Sequence, residues 1–231
     1  VKPSVEVKGS DTPEHKEFMK EFKEWRDAGW LTTQNILGSY TSGLFTEVKS
    51  TTRSFMSIGS SAGAKHQMPA ADDSGKYPFE VGMAQIPQHN ENNKKVISQG
   101  PSVCILNSGD EAKIEAAWKL VKFFTTNVDF QAEFSMASGY VPVIKSVMEN
   151  ETYANHIAGA ENAEVDQKER AAAYSTKICM EQVDNYFTSP SFIGSSEART
   201  QVGNLVVQYF SQGVDINTAF ADAVANCKAS Q

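Results

Sequence analysis

No stretch of this 231-residue chain approaches eighteen consecutive apolar residues, so the sequence offers no membrane-spanning helix. Its first residues carry neither a basic run nor an apolar core, so no secretory leader is read there. The expectation is that targeting was removed or that the chain begins in mid-protein. Lys and Arg are outnumbered 21 to 28 by Asp and Glu, for a net charge of −7, and they are scattered. A nucleic-acid partner needs a basic footprint and is excluded on that ground. The four histidines, His15, His66, His89 and His156, are never spaced i, i+4, and there is no Cys-x-x-Cys. No metal site and no cofactor is expected. Cys104, Cys179 and Cys227 read as buried thiols, with one disulfide plus one free thiol as the alternative. Asn150-Glu151-Thr152 fits a glycosylation sequon by chance and receives no weight.

What is present is a 40% hydrophobic composition, enough for a packed core at this length. Thr12-Pro13-Glu14 starts a helix carrying Phe18, Phe22 and Trp25, and Gly29 ends it. A short helix over 40–49 presents Leu44, Phe45 and Val48. Strands are expected at 53–58, 79–86 and within 96–106, the last interrupted by Gly100-Pro101. Ser108 and Glu111 form a capping box ahead of a helix with Ile114, Ala117, Trp118, Val121 and Phe124 on one face. Asn127 caps a second helix with Phe130, Phe134 and Ala137, closed by Gly139. Residues 146–186 are helical with a break near Gly159. The acidic residues at 161, 164, 166 and 169 read as one solvated helix face. A further helix spans 202–210, and Asp215 caps the last. Trp25, Trp30 and Trp118 read as packing residues. The fold class is a helix-rich α/β chain with a few short strands.

One segment invites three readings. Gly59-Ser60-Ser61-Ala62-Gly63 matches Gly-x-Ser-x-Gly, the nucleophile elbow of serine hydrolases, with Ser61 as nucleophile. A triad needs a later acid and then a base, and the histidines that follow are poorly ordered for it. The same Ser-Ser pair at a helix start offers hydroxyls and free N–H groups to a sugar, polyol or phosphate. It also serves as a plain cap. Gly100 lets a ligand approach the backbone or marks a bulge. Tyr140, on a turn before Val141-Pro142, stacks on a sugar ring or packs half-buried.

In their order and spacing, four segments resemble the extracytoplasmic solute-binding proteins of bacterial ABC importers, in the carbohydrate-uptake class near the glycerol-3-phosphate binders. They are Ser10 to Trp30; Phe45 with Met56 and Ser60-Ser61-Ala62-Gly63; Phe79-Glu80-Val81-Gly82 through Pro87; and Glu115-Ala116-Ala117-Trp118 with Phe123-Phe124-Thr125, Gln131-Ala132 and Gly139-Tyr140-Val141-Pro142-Val143. The resemblance covers the C-terminal half of such a protein. It implies a two-lobed periplasmic-binding-protein-like fold that closes on a ligand, with 1–97 and 143–231 in the second lobe. Residues 98–142 would cross to a first lobe that is mostly absent. It implies no catalysis, a small hydroxylated ligand, importer permease subunits as partners, and an extracytoplasmic place. Membrane attachment would come only through an absent N-terminal anchor. The ligand-binding residues carried over are Ser60 or Ser61, Gly100, Tyr140 and Arg199. Gln99 stands where the family has a second glycine. Arg199 is displaced by about a residue from the family's phosphate-binding arginine, with Glu197 adding the wrong sign, which places a neutral sugar or polyol level with glycerol phosphate. A degenerate interaction or adhesion lobe is the remaining alternative.

That lobe assignment has an energetic consequence. Trp118, Val121, Phe124, Phe130 and Phe134 each gain roughly 1.5–3 kcal/mol on full burial. The segment is therefore expected to pair with the missing first lobe or a second copy of the chain, to swap an element, or to repack onto the second lobe.

Overall fold

The computed structural model describes residues 11–47 and 51–229. In chain order the α-helices are α1 (Pro13–Asp27), α2 (Gln34–Leu37), α3 (Ser42–Thr46), α4 (Glu111–Thr126), α5 (Val128–Ser138), α6 (Glu151–Ala158), α7 (Gln167–Glu181), α8 (Ser195–Ser211) and α9 (Ile216–Ala229). Two-residue strands β1 (Val96–Ile97) and β2 (Tyr186–Phe187) pair in parallel, Val96 opposite Tyr186 and Ile97 opposite Phe187. A 3-10 turn spans Ser61–Gln67. The described residues form two compact units, one from those within 1–43 and 189–231, the other from those within 44–188.

The first unit is built from α1, α2, α8 and α9. Thr12 caps α1 through its hydroxyl, which accepts from the His15 N–H, and Gly29 leaves the helix at φ +78°. Asp215 accepts from the N–H groups of Asn217 and Thr218 to start α9. Leu205, Ile216, Ala219, Phe220 and Ala223 form the core, with Met19, Tyr209 and Val214 against it. The Trp25 ring is only partly covered and Trp30 is 80% exposed, so Trp30 is not the packing residue expected of it.

The second unit carries the strands, and there the sequence reading needs correction. Among the described residues neither 53–58 nor 79–86 belongs to a ladder, and only Val96 and Ile97 of 96–106 do. Residues 77–85 instead run beside α7 on side-chain contacts. The Tyr77 hydroxyl donates to Asp166 at 3.0 Å, the Gln167 amide donates to the Phe79 carbonyl at 2.9 Å, and Arg170 pairs with Glu80 at 3.5 Å. Gln85 donates to Glu181 at 3.4 Å. The alternation that reads as a strand thus reflects one side laid on a helix. Phe55, Met56 and Ile58 are mostly exposed, which a core strand would not tolerate. Val48, expected in the 40–49 helix, lies outside the described residues.

Asp110, not Ser108, caps α4, accepting from the Ala112 and Lys113 N–H groups. Gly109, at φ +73°, turns the chain between the two candidates, so the Ser108 hydroxyl reaches only the Asp110 N–H. Asn127 caps α5 and Gly139 closes it at φ +78°, as expected. The acidic residues from 161 to 169 do not share one helix. Glu161 pairs with Lys177, Asp166 caps α7, and Glu169 pairs with Lys65 at 3.2 Å.

A core of Ala132, Val147 and Tyr153, lined by Val128, Met136, Ile144, Met148 and Ile157, joins α5 to the segment that follows it. By contrast no residue of α4 is buried. Trp118 is 55% exposed, which overturns its reading as a core residue. A phenylalanine stack, with Phe124 and Phe130 centroids 5.1 Å apart and Phe130 and Phe134 5.8 Å apart, covers part of the α4–α5 corner. Residues 103–106 lie along α4 around a groove of about 310 Å³, with Val103 and Leu106 largely exposed. Of the outcomes expected for this segment, repacking onto the rest of the chain is seen in part: α5 packs on residues 144–157 through Ala132, while Trp118 and Phe134 stay exposed. Cys104 is exposed, not the buried thiol expected of it, while Cys227 is buried and Cys179 partly so, and none of the three is in a disulfide.

Candidate functional site

The Ser60-Ser61 turn and the Gly139-Tyr140 turn meet. The positive φ at Gly139 swings the chain off the end of α5 so closely over the 61–62 backbone that a Cβ there would stand 3.0 Å from the Ser61 carbonyl oxygen and 3.3 Å from the Ala62 Cα. Glycine is required twice, for the left-handed backbone and for the missing side chain. Ser60 is exposed and makes no side-chain cap bond, so its hydroxyl is available beside the turn. Tyr140 follows with its side chain 38% exposed.

Behind this surface lies a hydrogen-bonded support. The Ser61 side chain faces the Cys179 thiol. The Tyr186 hydroxyl donates to the Cys179 carbonyl at 2.7 Å, which ties α7 to β2. The Ser135 hydroxyl donates to the Tyr140 carbonyl at 2.5 Å and lies 3.1 Å from the Tyr153 hydroxyl. Thr176, on α7 beside the Tyr153 phenol, donates its own proton to the Ala172 carbonyl at 3.2 Å. Lys65 extends from the 61–67 turn to the Met136 carbonyl at 3.4 Å and to Glu169 at 3.2 Å.

Burial holds these groups neutral. It raises the Cys179 thiol, with the bonds from Ser61 and Tyr186 opposing. It pushes the Tyr186 phenol up to about 12, helped by Cys179, and raises Tyr153. The thiol is therefore not a nucleophile at neutral pH. His156, one turn past Tyr153 on α6, is lowered by burial, with Glu169 opposing and Lys65 assisting. The ammonium of Lys65 is already engaged by Glu169. The surface thus offers hydroxyls, backbone groups and an aromatic ring, and it lacks a spare charge among the groups placed there.

The remaining predicted residues fall elsewhere. Gly100 is exposed beyond β1, where the Ser98 N–H donates to the Phe187 carbonyl at 2.8 Å, and among the described residues nothing but its chain neighbours stands within 4 Å of its absent Cβ. Arg199 is exposed on α8, in the unit that contains neither serine nor Tyr140. Glu197 accepts from Gln201 at 2.5 Å. Among the described residues no histidine bonds Ser61, whose side chain faces Cys179. The same residues hold no cluster of metal-ligating side chains, and no helix among them is long and apolar enough to cross a membrane.

The supporting residues Ser135, Tyr153, Cys179 and Tyr186 escaped the sequence reading. Tyr153 sits in the dismissed sequon region, where Asn150 caps α6 by accepting from the Tyr153 N–H at 3.0 Å. That cap was the available signal, because it fixes Tyr153 in the first turn of a helix facing α5.

Compared with known proteins, the chain matches the family model described as bacterial extracellular solute-binding protein over residues 3–161 of its 231. The match takes in both serines, Gly100 and Tyr140, and stops before Cys179, Tyr186 and Arg199. No curated protein matches the chain. With more than half its length matched, the chain belongs to the bacterial extracellular solute-binding proteins, extracytoplasmic proteins whose role is the capture of a solute for transport.

Proposed function

We propose that the chain captures a small, uncharged, hydroxylated solute, a sugar or polyol, and delivers it to the permease subunits of an ABC importer. The observation that carries this reading is the contact of the Ser60-Ser61 turn with the Gly139-Tyr140 turn. It brings the Ser60-Ser61 turn against the residue before Tyr140, and in this reading the exposed Ser60 hydroxyl, the turn backbone and the Tyr140 ring together recognise a sugar by hydrogen bonds at its edge and stacking on its face. The neutral state of Tyr153, Cys179 and Tyr186 and the engagement of Lys65 argue for a neutral solute over glycerol phosphate.

In this reading the solute is enclosed by a second surface. The uncovered α4 face and residues 103–106 support a complementary lobe docking there, with 98–142 as the crossing segment and Gly100 near the crossing. Arg199 is held to be a lesser contact, because its neighbour Glu197 disfavours an anion.

Calorimetric titration of the full-length protein with glucose, maltose, glycerol and sn-glycerol 3-phosphate tests the proposal. Binding of a neutral member more tightly than the phosphate ester is expected. Tighter binding of the phosphate ester overturns the neutral class, and no binding by any member of a broad panel overturns solute capture.

A further inference from the structure

We infer that Tyr153 is a positioning residue for the solute site, acting on Tyr140 through Ser135; the inference rests on the reading of Tyr140 as a solute contact. Tyr153 is completely buried, so its ring serves the core while its hydroxyl must find polar partners there. The partner is Ser135 on α5, at 3.1 Å. Ser135 is itself buried and donates its single proton to the Tyr140 carbonyl at 2.5 Å. The Ser135 oxygen must then accept from Tyr153, and the chain of donation runs Tyr153 to Ser135 to the Tyr140 carbonyl.

This direction matters because a serine within a helix has a competing acceptor, the carbonyl of the residue one turn back, here Gln131. The proton of Tyr153 holds the Ser135 hydroxyl in the orientation that reaches past the helix end to Tyr140. Thr176 on α7 stands beside the phenol with its own proton on the Ala172 carbonyl at 3.2 Å, and one turn further along that helix Cys179 faces the Ser61 side chain. One helix therefore backs both halves of the site, the Tyr140 support at Tyr153 and the Ser61 turn at Cys179. Gly139 closes the circuit by its backbone contact with Ser61.

The test uses Tyr153→Phe, which keeps the ring volume and removes only the hydroxyl, with Ser135→Ala as the second variant. The first readout needs no solute. Hydrogen exchange followed by mass spectrometry should show at least fivefold faster exchange confined to residues 139–143 in both variants, with α6 and α7 unchanged. The second is affinity for the tightest binder among glucose, maltose, glycerol and sn-glycerol 3-phosphate, titrated into the full-length protein. A loss of about three- to tenfold is expected for each variant, the scale of one neutral hydrogen bond. On a Tyr140→Ala background the loss from Tyr153→Phe should shrink to less than about twofold, whereas a merely structural role would leave it unchanged. Unchanged exchange at 139–143, or faster exchange spread evenly over α5, α6 and α7, overturns the inference. So does wild-type affinity in Tyr153→Phe. If wild type binds none of the four probes, the solute reading falls, and the exchange measurement still decides whether Tyr153 positions the Tyr140 peptide.

Discussion

Gly139→Ala should damage this protein far more than an ordinary glycine replacement, and the structure gives the size of the difference. Gly139 has φ +78°, where an L-residue costs about 1 kcal/mol relative to glycine. Its added Cβ would also stand 3.0 Å from the Ser61 carbonyl oxygen and 3.3 Å from the Ala62 Cα. Both are backbone atoms and cannot rotate aside, so the end of α5 must lift from the 61–62 turn by a few tenths of an ångström. Overpacking of that kind adds about 2 kcal/mol. Gly75→Ala is the control, in the same unit, with φ +82° and nothing within 4 Å of its Cβ. It carries the backbone term alone, about 1 kcal/mol. The entropy that alanine removes from the unfolded chain enters both variants and cancels in their difference. Urea unfolding should thus show Gly139→Ala about 2 kcal/mol less stable than Gly75→Ala, at equal m-value. Equal losses would refute the close approach of the two turns.

Three more outcomes are expected. Asp110→Ala should cost about 1 kcal/mol in urea unfolding through loss of the α4 cap, while Ser108→Ala costs clearly less; the reverse order would restore the capping box. The lowered pKa of His156 makes the unfolded chain bind the extra proton first. Its contribution to stability is fully present above about pH 6.5 and is lost as pH falls through the lower folded value. The urea midpoint should therefore drop between pH 7 and 5 more in wild type than in His156→Gln, and parallel curves would contradict the assignment. In a variant with Trp25→Phe and Trp30→Phe, Trp118 should be freely quenched by acrylamide in this chain alone. It should be protected in the full-length protein if a lobe covers α4, and equal quenching in both would count against that docking.

What could be read from the sequence was local. Thr12 before Pro13, Asn127 and Asp215 act within one turn of chain, and each caps the helix expected of it. Gly139 likewise closes α5, because a left-handed exit is a property of the residue itself. Even a local reading failed where two caps competed, since the backbone at Gly109 decides between Ser108 and Asp110. Strands are settled at a distance. Residues 79–86 alternate as a strand should, yet their neighbour is α7, and among the described residues no strand pairs with them. Trp118 shows the same gap, because an apolar helix face announces that it needs cover without saying whether the chain supplies it. The site divides along this line. Ser60, Ser61 and Tyr140 were marked by turn chemistry and by family resemblance. Tyr153 and Cys179 act on Ser135 and Ser61, 18 and 118 positions away, and beyond the Asn150 cap that starts the helix of Tyr153 nothing beside them in sequence announces such partners.

The most direct test is a crystal structure of the full-length protein with its tightest-binding neutral sugar or polyol. The account predicts the solute within hydrogen-bond distance of the Ser60-Ser61 turn and in contact with the Tyr140 ring. A solute bound elsewhere, touching neither turn, would contradict it.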